Sequence, residues 1–360
     1  MLTRRTLLGG VAAGWLASSG SEKAAVGYEV PLRNRAAARG LFYGCAAGSY
    51  QLNDGDFRQA LAREANMLVP EYELKREIVE PRPGQFDYSG ADALATFAGA
   101  HGMKMRGHTL VWYAANPPWL EAKVLAAPDD EILTDYVGRL VGRFRGRIHS
   151  WDVVNEALAP DGGRPDGLRD CLWPKRFGPA YIDLAYRTAK QADPEALLVY
   201  NDWGCEGGEP WNDRFRAATL KFLAGALARK VPVEALGLQG HLNAFGPGVD
   251  QKKLRAFLDD VRGMGLSILV TEHDVDDSGG PSDVAARDRA VADASRRFLD
   301  VVLDNEATLA VLTWGLTDRY LKADNGLRAT LSGYSPRKLP LDINLKRKPM
   351  WGAIARAFGA

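Results

Sequence analysis

Eight short apolar runs, each followed by a stretch with helical spacing, limit what this chain can fold into more than any other feature. The runs fall at residues 41–46, 67–70, 103–112, 148–154, 196–201, 235–241, 266–272 and 309–314. Helical periodicity follows at 56–65, 90–101, 129–144, 180–191, 211–228, 251–264, 284–303 and 349–358. Strands of a parallel sheet are covered by helices, so they read as unbroken apolar, β-branched segments rather than as alternating ones. Regular strand–helix alternation gives a parallel sheet, and eight such units close it into a barrel. The expectation is an α/β chain forming one single-domain (β/α)8 TIM barrel over residues 25–360, with no Ser/Gly linker or break in composition to mark a second domain.

Apolar residues make up 46% and charged residues 25% of the 360, and the formal net charge is +1. That balance suits a globular chain long enough for one large core. Near-neutral charge argues against nucleic acid or an anionic membrane as partner, and no apolar run reaches the ~18 residues of a spanning helix. Residues 1–20 differ in kind. Arg4 and Arg5 precede a weakly apolar stretch that ends in small residues near Ser19. This order describes an export signal, and the paired arginines point to the twin-arginine route; the plainer alternative is a frayed helix. A periplasmic or secreted protein is expected, monomeric and free of the membrane once the signal is removed. In an oxidising compartment Cys171 and Cys205 are the candidate pair, the alternative being three inert buried thiols including Cys45.

Barrel active sites sit at the carboxyl ends of the strands, so the residues closing each run belong together. Glu71 and Lys75 follow the second run, His108 and Trp112 close the third, Asn155 and Glu156 the fourth. Asn201 and Trp203 close the fifth, Gln239 and His241 the sixth, Glu272 and Asp274 the seventh, Trp314 the eighth. Amides, acids and indoles converging on one face suit a sugar, because polar groups meet hydroxyls and aromatic faces meet ring C–H surfaces. Singly, each has a plainer reading: a Trp as core, a His as a satisfied core donor, a strand-ending Glu as a helix cap. Together on one face they are harder to assign to packing. Glu156 and Glu272 end the fourth and seventh runs, which face each other across a barrel and can flank one bond. Glycoside hydrolysis needs such a pair, one acid to protonate the leaving oxygen and one carboxylate to act at the anomeric carbon. The protonated member needs a raised pKa, which burial and a negative neighbour both favour.

These residues stand in motifs that resemble glycoside hydrolase family 10, the retaining endo-β-1,4-xylanases. The matching stretches are Gly-His-Thr-Leu-Val-Trp at 107–112, Trp-Asp-Val-Val-Asn-Glu-Ala at 151–157 and Tyr-Asn-Asp-Trp at 200–203. Gly-Leu-Gln-Gly-His at 237–241, Thr271-Glu272 with Asp274, and Thr-Trp-Gly at 313–315 continue the match in order. The resemblance implies endo-acting cleavage of β-1,4-xylosidic bonds in xylan or xylo-oligosaccharides, with no cofactor and no metal. It implies Glu156 as acid/base, Glu272 as nucleophile and Asn155 as the holder of the sugar 2-hydroxyl. Gln239 and His241 would orient Glu272, with Asp274 as the partner of His241. Lys75, His108, Trp112 and Trp314 would line the non-reducing-side subsites, with Glu71, Tyr72 and Asn201 as further substrate contacts.

The chain also departs from that pattern. Where the family reads Glu-Asn-x-Met-Lys-Trp, this sequence has Glu71-Tyr72-Glu73-Leu74-Lys75-Arg76. Tyr113 replaces a His, His273 replaces a Leu, and Leu321-Lys322 stands where a Ser-Trp pair is usual. The altered rim (Tyr72, Arg76, Tyr113, Leu321, Lys322) implies the same mechanism on a different or substituted β-linked glycan as an alternative. Two other classes compete. A metal-dependent hydrolase is suggested by His108, His241 and His273 at strand ends, but lacks closely spaced His ligands on an early strand. A barrel that only binds glycan is compatible with the fold, and both glutamates with Asn155 and His241 argue against it.

Overall fold

The structure is a computed structural model that describes residues 29–127, 129–321 and 335–359. All eight apolar runs become strands. In chain order the strands are β1 (Phe42–Ala47), β2 (Met67–Pro70), β3 (Lys104–Gly107), β4 (Ser150–Asn155), β5 (Leu197–Asp202), β6 (Ala235–Leu238), β7 (His241–Asn243), β8 (Ser267–Asp276) and β9 (Thr308–Thr313). They run parallel in the order β6-β5-β4-β3-β2-β1-β9-β8, and a β6–β8 pairing with Ala235 opposite Ser267 closes the ring. The expected single-domain (β/α)8 barrel is therefore the fold. β7 is extra: it pairs only with the far end of β8, placing His241 opposite Asp274.

Two cores hold the barrel. Inside the ring, small and branched side chains (Ala46, Val69, Val199, Ala235, Leu269, Ala310) fill the tapering space, as alternate strand residues do in such barrels. Outside it, the opposite strand faces pack on helices. Helix Gln251–Gly263 shows how: Leu254, Phe257, Leu258 and Val261 are buried at 3.6-residue spacing, and Asp250 caps the start by accepting from the amides of Lys252 and Lys253. Between β3 and β4 the approach is so close that a Cβ on Gly107 would stand 2.0 Å from the Trp151 ring. Only glycine fits there.

The helices match their predicted positions to within two residues, from Gly55–Glu64 to Pro349–Ala357. Short ones inside the loops were not predicted, among them Leu120–Ala126 and Leu172–Phe177, which contains Pro174. All three cysteines are free thiols, so of the two alternatives the candidate Cys171–Cys205 pair is not bonded. The Cys205 thiol is buried against the Thr219 hydroxyl at 3.6 Å. The expected export signal (residues 1–20) and Lys322 lie outside the described residues. No described helix is long and apolar enough to cross a membrane.

Candidate active site

Both acids at the strand ends sit at an irregularity in their own strand, Glu156 after one and Glu272 within one. In β4 the register slips between Asp152 and Val154, and in β8 between Val270 and His273. Bulges of this kind re-aim the side chains that follow. Beyond the β4 slip, Glu156 takes a left-handed backbone, with φ of 55°, a conformation a non-glycine residue adopts only when its surroundings force it. Two bonds do so: the Glu156 amide donates to the Asn201 carbonyl at 2.9 Å, and its carbonyl accepts from the Arg169 Nε at 3.0 Å. The carboxylate is thereby turned into the barrel mouth, where its Oε1 accepts from the Gln239 amide at 3.0 Å and from Asn155 at 3.3 Å.

Glu272 is placed differently. It is 5% exposed, and its Oε1 accepts from the Asn201 Nδ2 at 2.8 Å. The His241 Nε2 lies 3.4 Å from Oε2, and the His108 Nδ1 3.9 Å from Oε1. Burial works to raise the Glu272 pKa, but the His241 hydrogen bond, the two imidazole charges and the Asn201 amide outweigh it and hold it at about 2. His241 in turn donates from Nδ1 to Asp274 at 2.8 Å. Partial burial acts to lower its pKa, yet the carboxylates at both ring nitrogens raise it well above the ordinary imidazole value. The result is a fixed Asp274–His241–Glu272 relay of alternating charge.

Behind this pair sits a layer the sequence reading did not single out. Asp152, wholly buried within β4, binds Arg106 and accepts from the His108 Nδ1 at 2.9 Å, which fixes the imidazole ring. The Thr271 hydroxyl donates to the Asn201 Oδ1 at 2.6 Å, so the Asn201 Nδ2 must face Asn155 and Glu272. A polar residue inside an apolar run, such as Asp152, is the one signal that pointed here.

The structure also redistributes some expected contacts. Gln239 was expected on Glu272, but its side chain lies on Glu156. Asn201 was expected on the sugar, but its amide is engaged by Asn155, Glu272 and Thr271. Arg76, counted with the altered rim, is turned into the barrel wall, paired with Glu80 at 3.0 Å and stacked 4.1 Å over the Tyr136 ring. The remaining expected residues do meet. The Lys75 Nζ is boxed by the rings of Tyr72, Trp112 and Trp314 at 4.9, 5.2 and 5.8 Å, an aromatic cage that stabilises a cation. Burial lowers the Lys75 pKa, against the charges of Glu272 and Glu71.

Two hollows open off this centre. On the β5–β8 side a cavity of about 210 Å³ is lined by Trp203, Glu209, Trp211, His241 and Arg297. On the β9–β2 side one of about 390 Å³ is lined by Tyr50, Glu71, Tyr72, Trp314, Tyr320 and Leu321. Tyr72, Tyr113 and Trp203 present 46%, 40% and 41% of their surface to solvent. A cleft with two carboxylates at its centre and aromatic faces on both sides is built for a chain of sugar rings rather than for one small molecule.

Comparison with known proteins agrees. Residues 31–357 match the Glycosyl hydrolase family 10. Endo-1,4-beta-xylanase B of Thermotoga neapolitana is 32% identical over 330 residues, covering 91% of each protein. Endo-1,4-beta-xylanase C of Paenibacillus barcinonensis is 30% identical over 328 residues, covering 82% of this chain but only 28% of that larger protein. The crystal structure of xylanase 10B from Thermotoga petrophila RKU-1 in complex with xylobiose superposes with a TM-score of 0.80 at 30% identity, covering 92% of this chain and 97% of that one. With the family match spanning nearly the whole described chain, this protein belongs to glycosyl hydrolase family 10.

Proposed function

We propose that this protein is a retaining endo-β-1,4-xylanase that cuts xylan or xylo-oligosaccharides by double displacement. The observation that carries the reading is the contrast between the two carboxylates. Glu272 is held ionised among His241, His108 and Asn201, while Glu156 is met by the neutral amides of Gln239 and Asn155. Glu272 attacks the anomeric carbon as the Glu156 proton passes to the glycosidic oxygen, forming a glycosyl ester and releasing the reducing-side fragment. Glu156, now a carboxylate, takes a proton from water. The hydroxide oxygen displaces Glu272, and the configuration is retained. Asn155 contacts Glu156 directly and is linked to Glu272 through Asn201, where it can hold the 2-hydroxyl of the cleaved sugar. The relatives named xylanases and the xylobiose-bound neighbour support this substrate.

The test is reducing-sugar release from a panel of β-linked polysaccharides, with Glu272→Ala as the blank and proton NMR of the first product. Xylan cleavage with a retained anomer is expected. Inverted product, or equal rates in the blank, sinks the reading. Full activity after dialysis against a chelator is also expected, which separates it from a metal-dependent hydrolase.

One observation favours a second reading of the substrate. Tyr72 lines the 390 Å³ hollow with Tyr50, Trp314 and Leu321, where a decorated backbone unit would lodge. Tyr72 also lacks the paired donor and acceptor of an amide. A lost hydrogen bond to a buried hydroxyl costs about 1–3 kcal/mol, or roughly ten- to a hundredfold in kcat/KM. Weak activity on linear xylan and better activity on substituted chains is the expected pattern. Efficient cleavage of linear xylan with no gain in Tyr72→Asn would remove this reading. The protein is further proposed to be an exported monomer that binds neither nucleic acid nor membrane. Cell fractionation of an Arg4→Lys, Arg5→Lys variant and light scattering test those points.

A further inference from the structure

Gln239 and His241 stand two residues apart and serve opposite acids, Gln239 on Glu156 and His241 on Glu272. Gly240 joins them. It is left-handed, with φ of 75°, and a Cβ would stand 3.2 Å from both Phe298 and Val270 and 3.5 Å from His273. The position therefore demands glycine, the residue whose backbone is least restrained by its own side chain. Its neighbours are tied into the sheet, since Gln239 donates to the Asp202 carbonyl at 3.0 Å and accepts from the Glu272 amide at 2.9 Å. The Gln239–Gly240 peptide is thus already held through its carbonyl, and the Gly240–His241 peptide is not held by these bonds.

Both of those peptides are gripped by buried side chains, His273 behind the cleft and Glu206 in the wall of the β5–β8 hollow. The Gly240 amide donates to Glu206 at 2.9 Å, whose second oxygen accepts from the Gly204 amide at 2.8 Å. The Gly240 carbonyl lies 2.8 Å from the His273 Nδ1, and the His273 Nε2 lies 2.9 Å from the Ser295 hydroxyl. A carbonyl only accepts, so Nδ1 carries the proton and Nε2 accepts from Ser295. His273, Ser295 and Glu206 are all buried, at 0%, 0% and 3% exposure. Ser295 comes from the helix Val284–Val302, so the grip reaches from the outer helical ring to the cleft.

We propose that the His273–Ser295 pair, with Glu206 opposite, is a positioning clamp on Gly240 that sets His241 against Glu272 and Gln239 against Glu156 together. It rests on the hydrolase reading above and adds three residues to the machinery of that reaction. His273 and Ser295 are wholly buried, and both oxygens of Glu206 are taken by the Gly204 and Gly240 amides. If the Gly240 carbonyl turns, the His241 ring leaves the line between Asp274 and Glu272. Displacement of a catalytic group by as little as 1 Å costs up to a hundredfold.

The experiment compares wild type, His273→Leu, His273→Asn and Ser295→Ala on xylo-oligosaccharides over a pH series, alone and combined with His241→Ala. Asn places an amide donor where Nδ1 stood. His273→Leu is expected to lower kcat about tenfold, short of a full 1 Å misplacement, with KM little changed. His273→Asn should recover most of the loss, and Ser295→Ala should lose less than His273→Leu. In the His241→Ala background the His273→Leu penalty should shrink, since coupled residues are not additive. NMR titration of the His241 ring gives a readout without turnover: its pKa should fall in His273→Leu. An unchanged His241 titration with unchanged kcat overturns the clamp. So does a loss that Asn does not rescue and that persists in full without His241. If His273→Leu does not fold, Ser295→Ala decides alone, and wild-type kcat and His241 titration in it overturn the proposal. A wild type inactive on every β-linked glycan overturns the hydrolase reading instead, while the His241 titration still judges the clamp.

Discussion

Glu272 meets groups from three separate strand ends: His108 after β3, Asn201 in β5 and His241 in β7. Its low pKa therefore belongs to the assembled barrel and cannot exist in any fragment of it. His241→Gln removes the largest favourable contributor and puts a neutral amide in place of the imidazole. With that contributor gone, burial works to raise the Glu272 pKa, and the acidic limb of kcat/KM should move up by at least one pH unit, about 1.4 kcal/mol of lost differential stabilisation. Asn201→Ala should move it the same way by less. A pH–rate profile checks both, and an acidic limb that stays in place would mean that Glu272 is not the group titrating there. At this scale the strand-end acids were legible as a pair, because Glu156 and Glu272 close runs that face each other across a barrel whose other strand ends carry amides, imidazoles and indoles. The partners of Asn201 and Gln239 were not, since an amide at a strand end reads the same whether it faces a sugar or a neighbouring acid.

Elements were legible in proportion to their length. A helix such as Gln251–Gly263 shows its apolar stripe over several turns, whereas Leu172–Phe177 is too short to display a period and contains a proline. β7 was merged with β6, because the turn at Gly240 interrupts an otherwise continuous apolar run. The elements also need joining at the ends of the chain, and one residue does much of this. Glu64, the last residue of helix Gly55–Glu64, is fully buried. Its carboxylate accepts from the Leu32 amide at 3.1 Å, the Trp351 indole at 3.0 Å and Arg347 at 2.7 Å. It thus ties the helices Leu32–Ala38 and Pro349–Ala357, near the two ends of the described chain, to the barrel's first strand–helix unit. Breaking a buried ion pair on one side costs about 3–5 kcal/mol. Glu64→Ala should lower the unfolding free energy by that order while leaving kcat at 25 °C unchanged, since Glu64 lies outside the cleft. Urea unfolding with parallel kinetics tests this, and a loss of kcat without loss of stability would contradict it.

For the molecule as a whole, closing the barrel holds two histidines in neutral form, His273 fully buried and His149 half-buried. Burial holds the His273 pKa at about 4, against the Gly240 hydrogen bond; burial and the charges of Arg106 and Lys104 hold His149 at about 4. Unfolded, both rings take a proton near 6.5. The folded state therefore binds fewer protons between pH 6.5 and 4, and stability must fall as pH drops through that window. Glu272 acts in the same direction lower down, its stabilisation being lost as pH falls from 4.5 toward 2. His241 acts oppositely: its raised pKa adds stability that is full below 6.5 and fades as pH rises through the folded value. Asp318, whose pKa burial raises to about 6, and the buried Asp202 and Glu206 also act against the two histidines, gaining stability as pH falls, so the histidine contribution has to be isolated by substitution. His273→Leu isolates one term of this balance. Between pH 7 and 4.5 the buried ring of wild type accounts for about 2–3 kcal/mol of lost stability that a leucine cannot lose. Whatever the variant's stability at neutral pH, the gap between it and wild type should therefore shift in the variant's favour as pH falls. Urea unfolding at pH 7, 5.5 and 4.5 measures this directly; parallel lines for the two proteins would show that the His273 ring titrates alike folded and unfolded, and that the barrel does not hold it neutral.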